Sequence, residues 1–232
     1  MSIDDVQPMV PASDILSSIV RKKITSCAVC EPLISLTFDD SPEQPTSGAL
    51  LDALKKYKIA ATFFVLGEKA ARLPEFIRRM HAEGHSVGNH GWDHTSFRKL
   101  NPLEIQDQVW RTDEMVEKLL GIRPTLLRPP YGVWDDHFEA GGRMNFNHSL
   151  ILWSVDPQDW KNQDARTISE HVVKNSNAGA IVLAHDGFLT TIKALPQMIE
   201  GLLGRGFRFV TVPQMLSSTA NMKDCALLKG VS

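Results

Sequence analysis

From Leu33 onward, short apolar runs alternate along the chain with segments whose apolar residues recur at helical spacing. Short apolar runs are typical of buried strands, and the amphipathic segments are typical of helices that pack on one face. The predicted strands are Leu33–Phe38, Ala61–Leu66, His85–Gly88, Thr125–Leu127, Ser149–Val155, Ala180–Ala184 and Arg208–Val212. The predicted helices are Ser47–Tyr57, Lys69–Ala82, Pro102–Leu120, Trp134–Ala140, Ala165–Asn175 and Ile192–Leu203.

This alternation predicts an α/β fold, because strands separated by helices form a parallel sheet with the helices outside it. About seven strands in one domain favour a closed or nearly closed barrel over an open, doubly wound sheet. The expected organisation is an N-terminal extension over residues 1–31, a barrel over 32–216 and a C-terminal tail over 217–232. Neither Gly-x-Gly-x-x-Gly nor a Gly-Lys-Ser/Thr loop occurs, which argues against nucleotide binding.

Composition and charge exclude several classes of function. The 232 residues carry a net charge of -2, from 25 basic and 27 acidic residues, so nothing favours nucleic acid or an anionic membrane. No apolar run is long enough for a transmembrane helix, and the first residues lack the apolar stretch of a secretory signal. A cytoplasmic location is therefore expected if these residues are the native start, whereas the oligomeric state stays open. Cys27 and Cys30 have C-x-x-C spacing but no second pair accompanies them, so we expect reduced thiols.

Polar residues follow the predicted strands at the points where they end. The first strand runs into Asp39 and Asp40, two carboxylates that are costly to bury side by side without a nearby positive charge. The fourth strand runs into Arg128, the fifth into Asp156–Trp160 and the sixth into His185. Because the carboxyl ends of parallel barrel strands meet at one mouth, we expect these residues to converge on one site.

His90 and His94 follow the third strand and are four residues apart. On a helical turn this spacing places both imidazoles on the same side, where they can share a metal ion. With one of the two aspartates they provide two nitrogens and one oxygen, a set that suits Zn²⁺ and leaves a position for water. The other aspartate is then free to take a proton from that water, and His185 could donate a proton to a leaving group.

Further residues at the strand ends fit supporting roles. Arg128, Asp156 and Asp159 could hold such a base and acid in place through hydrogen bonds. Flat apolar rings beside polar groups suit the faces of sugar rings. The aromatic residues in or near these loops are Trp92, Tyr131, Trp134, Trp153 and Trp160.

In these segments the chain resembles, over about Leu33 to Met215, the polysaccharide deacetylases of the nodulation-protein-B homology type, carbohydrate esterase family four. Five ordered blocks carry the resemblance: Thr37–Asp40, His90–His94, Arg128–Tyr131, Asp156–Trp160 and Leu183–His185. The phrases Ala61–Val65 and Trp153–Pro157 look most similar to chitooligosaccharide deacetylases. The resemblance implies a distorted (β/α) barrel and metal-dependent removal of N-acetyl groups from N-acetylglucosamine units of an oligosaccharide or polysaccharide.

The resemblance also implies a role for each matched residue. Asp40, His90 and His94 would bind the metal ion, which is expected to be Zn²⁺, with other divalent ions such as Co²⁺ as alternatives. Asp39 would act as the base. One departure is Gly91, because the family usually has Ser or Thr there and the loop loses a hydroxyl that would brace it.

The remaining implied roles complete a hydrolytic site. His185 would be the acid, Asp159 its partner, and Arg128 the residue that orients the base. The backbone N–H of Tyr131 would help to hold the oxyanion, and Trp160 is expected beside the substrate.

The sequence therefore predicts a metal-dependent hydrolase that removes N-acetyl groups from chitooligosaccharide or peptidoglycan-type substrates. Two alternatives stay open. The same site could act on another small N-acyl or cyclic amide, or the barrel could bind carbohydrate without catalysis. The complete set of candidate catalytic and metal-binding residues argues against the second alternative.

Overall fold

The structure is a computed structural model and describes residues 23–134, 147–161 and 164–220. Seven parallel strands form one sheet: β1 (Leu33–Ser41), β2 (Thr62–Val65), β3 (Ser86–Asn89), β4 (Leu126–Leu127), β5 (Ser149–Leu150), β6 (Ala180–His185) and β7 (Arg208–Phe209). Their order along the sheet is β5, β4, β3, β2, β1, β6, and β7 pairs with the start of β1. The predicted α/β fold with about seven parallel strands is confirmed.

Isolated bridges bring the two ends of the sheet together. Ile24 pairs with Ile151, next to β5, and Val155 pairs with Val182 of β6. The N–H of Ile151 still donates to Leu127 of β4, and the chain then crosses to β6, where Ser154 and Val155 donate to Ile181. The predicted strand Ser149–Val155 therefore ends early and continues only as single bridges. The barrel is therefore distorted rather than a closed, regular ladder.

Seven α-helices accompany the strands in the described part of the chain. They are α1 (Thr46–Tyr57), α2 (Gly67–Arg72), α3 (Pro74–Ala82), α4 (Pro102–Leu120), α5 (Ala165–Asn175), α6 (Leu189–Gly204) and α7 (Val212–Ala220). Two of them, α4 and α5, have the predicted bounds. Of the helix predicted over Trp134–Ala140, only Trp134 lies within the described residues.

Two other predicted elements differ from the structure. The helix predicted over Lys69–Ala82 is divided, because Pro74 cannot continue a helix and instead begins α3 at its first position. The strand predicted over Arg208–Val212 stops at Phe209, and Val212 begins α7. Val212 and Met215 are three residues apart and both are buried. This segment therefore forms a helix, which buries both side chains on one face.

Strand β1 has two buried faces of different chemistry. Ile34, Leu36 and Phe38 belong to the main apolar core together with buried residues of the surrounding helices. The alternate residues Ser35 and Thr37 are equally buried. Because successive side chains of a strand point to opposite faces, the polar set lies inside the barrel.

Residues 23–31 of the predicted extension contact the sheet. The backbone N–H of Cys27 donates to the carbonyl of Gly179 at 2.9 Å, and a Cβ on Gly179 would collide with the Cys27 carbonyl. Cys27 is a buried free thiol, whereas Cys30 is disulfide-bonded, so the expectation of reduced thiols is wrong for Cys30. The domain bounds themselves stay predictions.

The strand register brings the polar strand ends to one level. Asp39 of β1 lies opposite His185 of β6, and Asn89 of β3 lies opposite Leu127 of β4. His90 and Arg128 directly follow these paired residues in the chain. The barrel therefore presents the predicted functional residues at a single mouth, as parallel strands require.

Candidate active site

The mouth of the barrel contains a cavity of about 340 Å³. Seven of the predicted site residues line it: Asp39, Asp40, His90, His94, Tyr131, Trp160 and His185. The other two, Arg128 and Asp159, are fully buried beneath the cavity lining, where Arg128 forms a hydrogen bond with Asp39 and Asp159 with His185. All nine predicted residues are thus brought together.

Asp39 and Asp40 both reach the cavity because strand β1 carries a bulge there. Between its paired residues Phe38 and Ser41, β1 has two residues where β2 has one. In a regular strand two neighbouring side chains would point to opposite faces. The extra residue, together with the left-handed backbone of Asp40 at φ 64°, lets both carboxylates line one cavity.

Asp40, His90 and His94 form a group that could hold a metal ion, with ligand atoms that all lie within 4.8 Å of one another. Asp40 Oδ1 is 3.6 Å from His90 Nε2 and 3.3 Å from His94 Nε2. Two ligands at the usual zinc distances and a tetrahedral angle would be ~3.4 Å apart, so this spacing fits a metal ion. Among the described side chains, Asp40 Oδ1 is also a buried oxygen without a hydrogen-bond donor, as a ligand atom would be.

A backbone carbonyl outside the cavity fixes the tautomer of His90. Its Nδ1 lies 2.6 Å from the carbonyl oxygen of Arg128. A carbonyl oxygen can only accept, so Nδ1 carries the proton and Nε2 keeps its lone pair for a metal ion.

The two histidines do not lie on a helical turn, contrary to the prediction. Residues 90–94 form an irregular loop in which Gly91 has φ 82° and His94 has φ 66°. The rings still approach, with centroids 5.2 Å apart. A Cβ on Gly91 would find space, since its nearest neighbour would be 3.5 Å away, but its backbone region favours glycine.

This loop is braced by residues that the sequence analysis missed. Asn89 accepts the N–H of Gly91 at 2.7 Å and donates to the carboxylate of Asp113 at 2.7 Å. Gln108 accepts the N–H of Trp92 at 2.7 Å. Amide and carboxylate side chains therefore hold the loop in place of the hydroxyl that Gly91 lacks.

A signal for two of these braces was present in α4. Gln108, Thr112 and Asp113 are polar residues on the otherwise apolar, buried face of this helix. Buried polar groups need partners, so such an interruption points to a network beneath it. It does not show which loop the network supports.

Asp39 is held by Arg128 in a fully buried ion pair. Arg128 Nη1 donates to Asp39 Oδ1 at 2.7 Å and to Thr37 Oγ1 at 2.7 Å. Burial raises the pKa of Asp39, but the charges of Arg128, His90 and His185 outweigh it, so the pKa lies below its usual value. The carboxylate is therefore ionised, and Oδ2 lies 3.6 Å from His90 Nε2 on the cavity side.

His185 stands opposite Asp39 and is held by Asp159. Its Nδ1 is 2.7 Å from Asp159 Oδ1, and its backbone N–H donates to Asp159 Oδ2 at 2.8 Å. Thr191 Oγ1 also donates to Oδ2, at 2.7 Å. Burial lowers the pKa of His185, but the hydrogen bond and charge of Asp159, aided by Asp39 and Asp40, raise it to about 9. The imidazole is therefore protonated at neutral pH, with Nδ1 engaged and Nε2 left for a substrate.

The aromatic residues of the cavity are exposed at its edge. Tyr131 is 63% exposed and its ring lies 4.5 Å from that of His94, while its backbone is left-handed at φ 62°. Trp160 is 48% exposed, and Phe188, which was not predicted, is 36% exposed beside His185. The cavity thus combines a polar floor with an apolar edge.

This arrangement agrees with the comparison with known families. A family model described as polysaccharide deacetylase matches residues 28–146, more than half of the chain. The chain belongs to the polysaccharide deacetylase family.

Curated relatives include deacetylases of two substrate classes. The peptidoglycan-N-acetylmuramic acid deacetylase PdaC of Bacillus subtilis is 41% identical over 80% of this chain and 39% of its own length. A chitooligosaccharide deacetylase of Bradyrhizobium is 34% identical over 78% of this chain and 90% of its own length. The chain therefore spans well under half of PdaC but most of the rhizobial enzyme.

Solved structures of the family share the fold. PdaC superposes with a TM-score of 0.79 at 38% identity, covering 87% of this chain and 98% of the solved chain. A family-four pseudoenzyme from Bacillus anthracis has a TM-score of 0.78 at 27% identity, covering 86% and 70%. In the described part of this family member, no helix is long and apolar enough to cross a membrane.

Proposed function

We propose that this domain is a metal-dependent hydrolase that removes N-acetyl groups from N-acetylglucosamine-containing oligosaccharides or polysaccharides. The observation that carries the proposal is one cavity lined by the Asp40, His90 and His94 group together with Asp39 and His185. Arg128 pairs with Asp39 and Asp159 with His185. PdaC and the Bradyrhizobium relative are both named as deacetylases, which supports the same reaction class.

The proposed metal ion is Zn²⁺, with Co²⁺ as an alternative. Two imidazole nitrogens and one carboxylate oxygen form a donor set that suits zinc and leaves a further position open. When bound, such an ion polarises the acetyl carbonyl and lowers the pKa of water.

The side chains divide the proton transfers between them. Asp39 accepts a proton from the attacking water, and Arg128 keeps its carboxylate ionised and oriented. The backbone N–H of Tyr131 helps to stabilise the tetrahedral oxyanion. His185 then gives its Nε2 proton to the amine as the carbon–nitrogen bond breaks, so water and amide become acetate and free amine. Trp160 provides an exposed ring for a sugar face.

The substrate within this class is the finer part of the proposal. The relatives act on peptidoglycan sugars or on chitooligosaccharides, and the exposed edge of the cavity is compatible with either. The cytoplasmic location expected from the first residues stays a prediction, as does action on another small N-acyl or cyclic amide.

Acetate release tests the proposal directly. The protein would be assayed with chitooligosaccharides, peptidoglycan fragments and small N-acetyl compounds, after chelation and after restoring Zn²⁺ or Co²⁺. We expect metal-dependent release from at least one N-acetylated sugar. Asp39→Asn and His185→Ala should each lower kcat about 10²–10⁴-fold, as loss of a general base or acid does.

Matched controls separate catalysis from folding. Asp107→Asn and His171→Ala remove the same groups from exposed helix positions and should leave activity unchanged. Full activity in Asp39→Asn would reject the assignment of the base. Oligosaccharide binding with no acetate released by the metal-loaded protein would instead favour a non-catalytic barrel.

A further inference from the structure

Asp186 has a buried carboxylate to which the proposed reaction assigns no role. Only 3% of the residue is exposed. Its Oδ1 accepts from Thr46 Oγ1 at 3.0 Å, and its Oδ2 accepts from Ser41 Oγ at 3.2 Å and from Ser47 Oγ at short range. Three hydroxyl donors on one carboxylate form a polar network that is costly to disturb, because its members are out of water.

This network fixes the segment that leaves the catalytic strand. Ser41 directly follows Asp40, and Thr46 and Ser47 begin α1. The backbone N–H of Asp186 donates to the carbonyl of Asp39 at 2.9 Å. The carboxylate of Asp186 and its own backbone therefore hold β1 on either side of Asp40.

Lys69 holds the same point from α2. Its Nζ donates to the backbone carbonyl of Asp40 at 3.0 Å and forms an ion pair of 2.6 Å with Glu43. The Lys69 side chain is only 18% exposed, so its charge is largely withdrawn from water. The cation thus anchors the backbone of a metal-ligand candidate through its carbonyl oxygen.

The anchored residue has an unfavourable backbone. Asp40 has φ 64°, a left-handed region that is less favourable for residues other than glycine, although aspartate tolerates it better than most. The same conformation, within the bulge of β1, points Oδ1 of Asp40 at His90 and His94. Forces that hold the backbone therefore also set the distance between the three ligand atoms.

We propose that Asp186 and Lys69 are positioning residues that hold the bulge at Asp40 in the geometry that binds the metal ion. The inference rests on the proposed function, because it concerns the affinity of that metal site. It predicts that changes at residues outside the cavity lining weaken metal binding in a protein that remains folded.

Zinc affinity, measured by chelator competition on the folded protein, tests this inference without an activity assay. We expect Asp186→Asn to weaken zinc binding about 10–100-fold, the range seen when a residue supporting a ligand is changed. Ser47→Ala and Lys69→Met, which each remove one anchoring contact, should each weaken it several-fold. These two variants decide the question if Asp186→Asn does not fold.

Two controls remove equivalent groups elsewhere. Ser176→Ala deletes a buried hydroxyl that donates to Val172, and Lys55→Met deletes a lysine whose side chain is 68% exposed in its ion pair with Glu83. Both should keep the zinc affinity of the unaltered protein. Anchor variants that are less stable but bind zinc within twofold of the unaltered protein would overturn the inference. Failure of the unaltered protein to bind either Zn²⁺ or Co²⁺ would overturn the proposed function itself.

Discussion

The two halves of the site are built differently. The buried wall, which consists of Asp39, Arg128 and Asp159, is 3%, 0% and 0% exposed. The aromatic rim, which consists of Tyr131, Trp160 and Phe188, is 63%, 48% and 36% exposed. Charged groups of the wall have exchanged water for fixed partners, whereas the rings of the rim still face solvent. Stability and chemistry should therefore be linked in the wall, and the rim should contribute to substrate binding with little effect on folding.

Removing Arg128 should have the largest effect and would test the wall most severely. Arg128→Met leaves the Asp39 carboxylate buried without its cation and also frees the carbonyl of Leu152, to which Nη2 donates at 2.9 Å. We expect a loss of about 3–5 kcal/mol in the free energy of unfolding, measured by urea denaturation.

Two comparisons identify the cause of that loss. Arg166→Met removes an exposed pair with Glu170 and should cost at most about 1 kcal/mol. Adding Asp39→Asn to Arg128→Met should recover part of the stability, because the unpaired charge is then absent. Equal losses in Arg128→Met and Arg166→Met would show that the buried pair has no special weight.

The second effect concerns the pH dependence of the acid. Asp159→Asn removes the carboxylate that, against burial, raises the pKa of His185 to about 9. A general acid must be protonated, so activity of the unaltered protein should fall as pH rises through about 9. In the variant this fall should move toward the ordinary value of 6.5, and kcat at neutral pH should drop about 10²-fold or more.

The stability of the protein should follow the same pKa. A raised histidine pKa stabilises the folded state fully below pH 6.5, and this contribution is lost as pH rises toward about 9. Urea denaturation at pH 6 and pH 9.5 should therefore show a larger decrease for the unaltered protein than for Asp159→Asn. If the fall in activity at high pH occurs at the same pH in Asp159→Asn as in the unaltered protein, Asp159 does not set the pKa of His185.

The contrast between wall and rim also explains what the sequence could predict. The ends of α4 are marked locally, by Asn101 in a capping box and by Gly121 in the left-handed C-cap, so the predicted bounds are confirmed. The wall could be predicted because parallel strands must bring their carboxyl ends to one mouth. The first inference relies on residues that are neighbours in the sequence, and the second on a rule that holds for all parallel barrels.

The features that were missed depend on particular long-range contacts. The bulge at Asp40, the loop over residues 90–94 and the hydroxyl network of Asp186 each join segments that are far apart in the chain. No local pattern distinguishes Asp186 from an ordinary aspartate after a strand. Its hydroxyl partners Thr46 and Ser47 come within reach only because α1 packs beside the end of β6 in the folded chain.

The smallest of the predicted effects is expected for a substitution at the aromatic rim, and it tests whether the rim differs from the buried wall. Trp160→Ala removes a ring that lines the cavity and is half exposed, so folding loses little. Stacking of a sugar face on such a ring contributes about 1 kcal/mol, and KM should rise about five- to tenfold with kcat nearly unchanged. Leu103→Ala, at an exposed residue of α4, serves as the control and should alter neither constant. If Trp160→Ala instead lowers kcat and leaves KM unchanged, the ring acts on the reacting geometry, and the division between wall and rim fails at this residue.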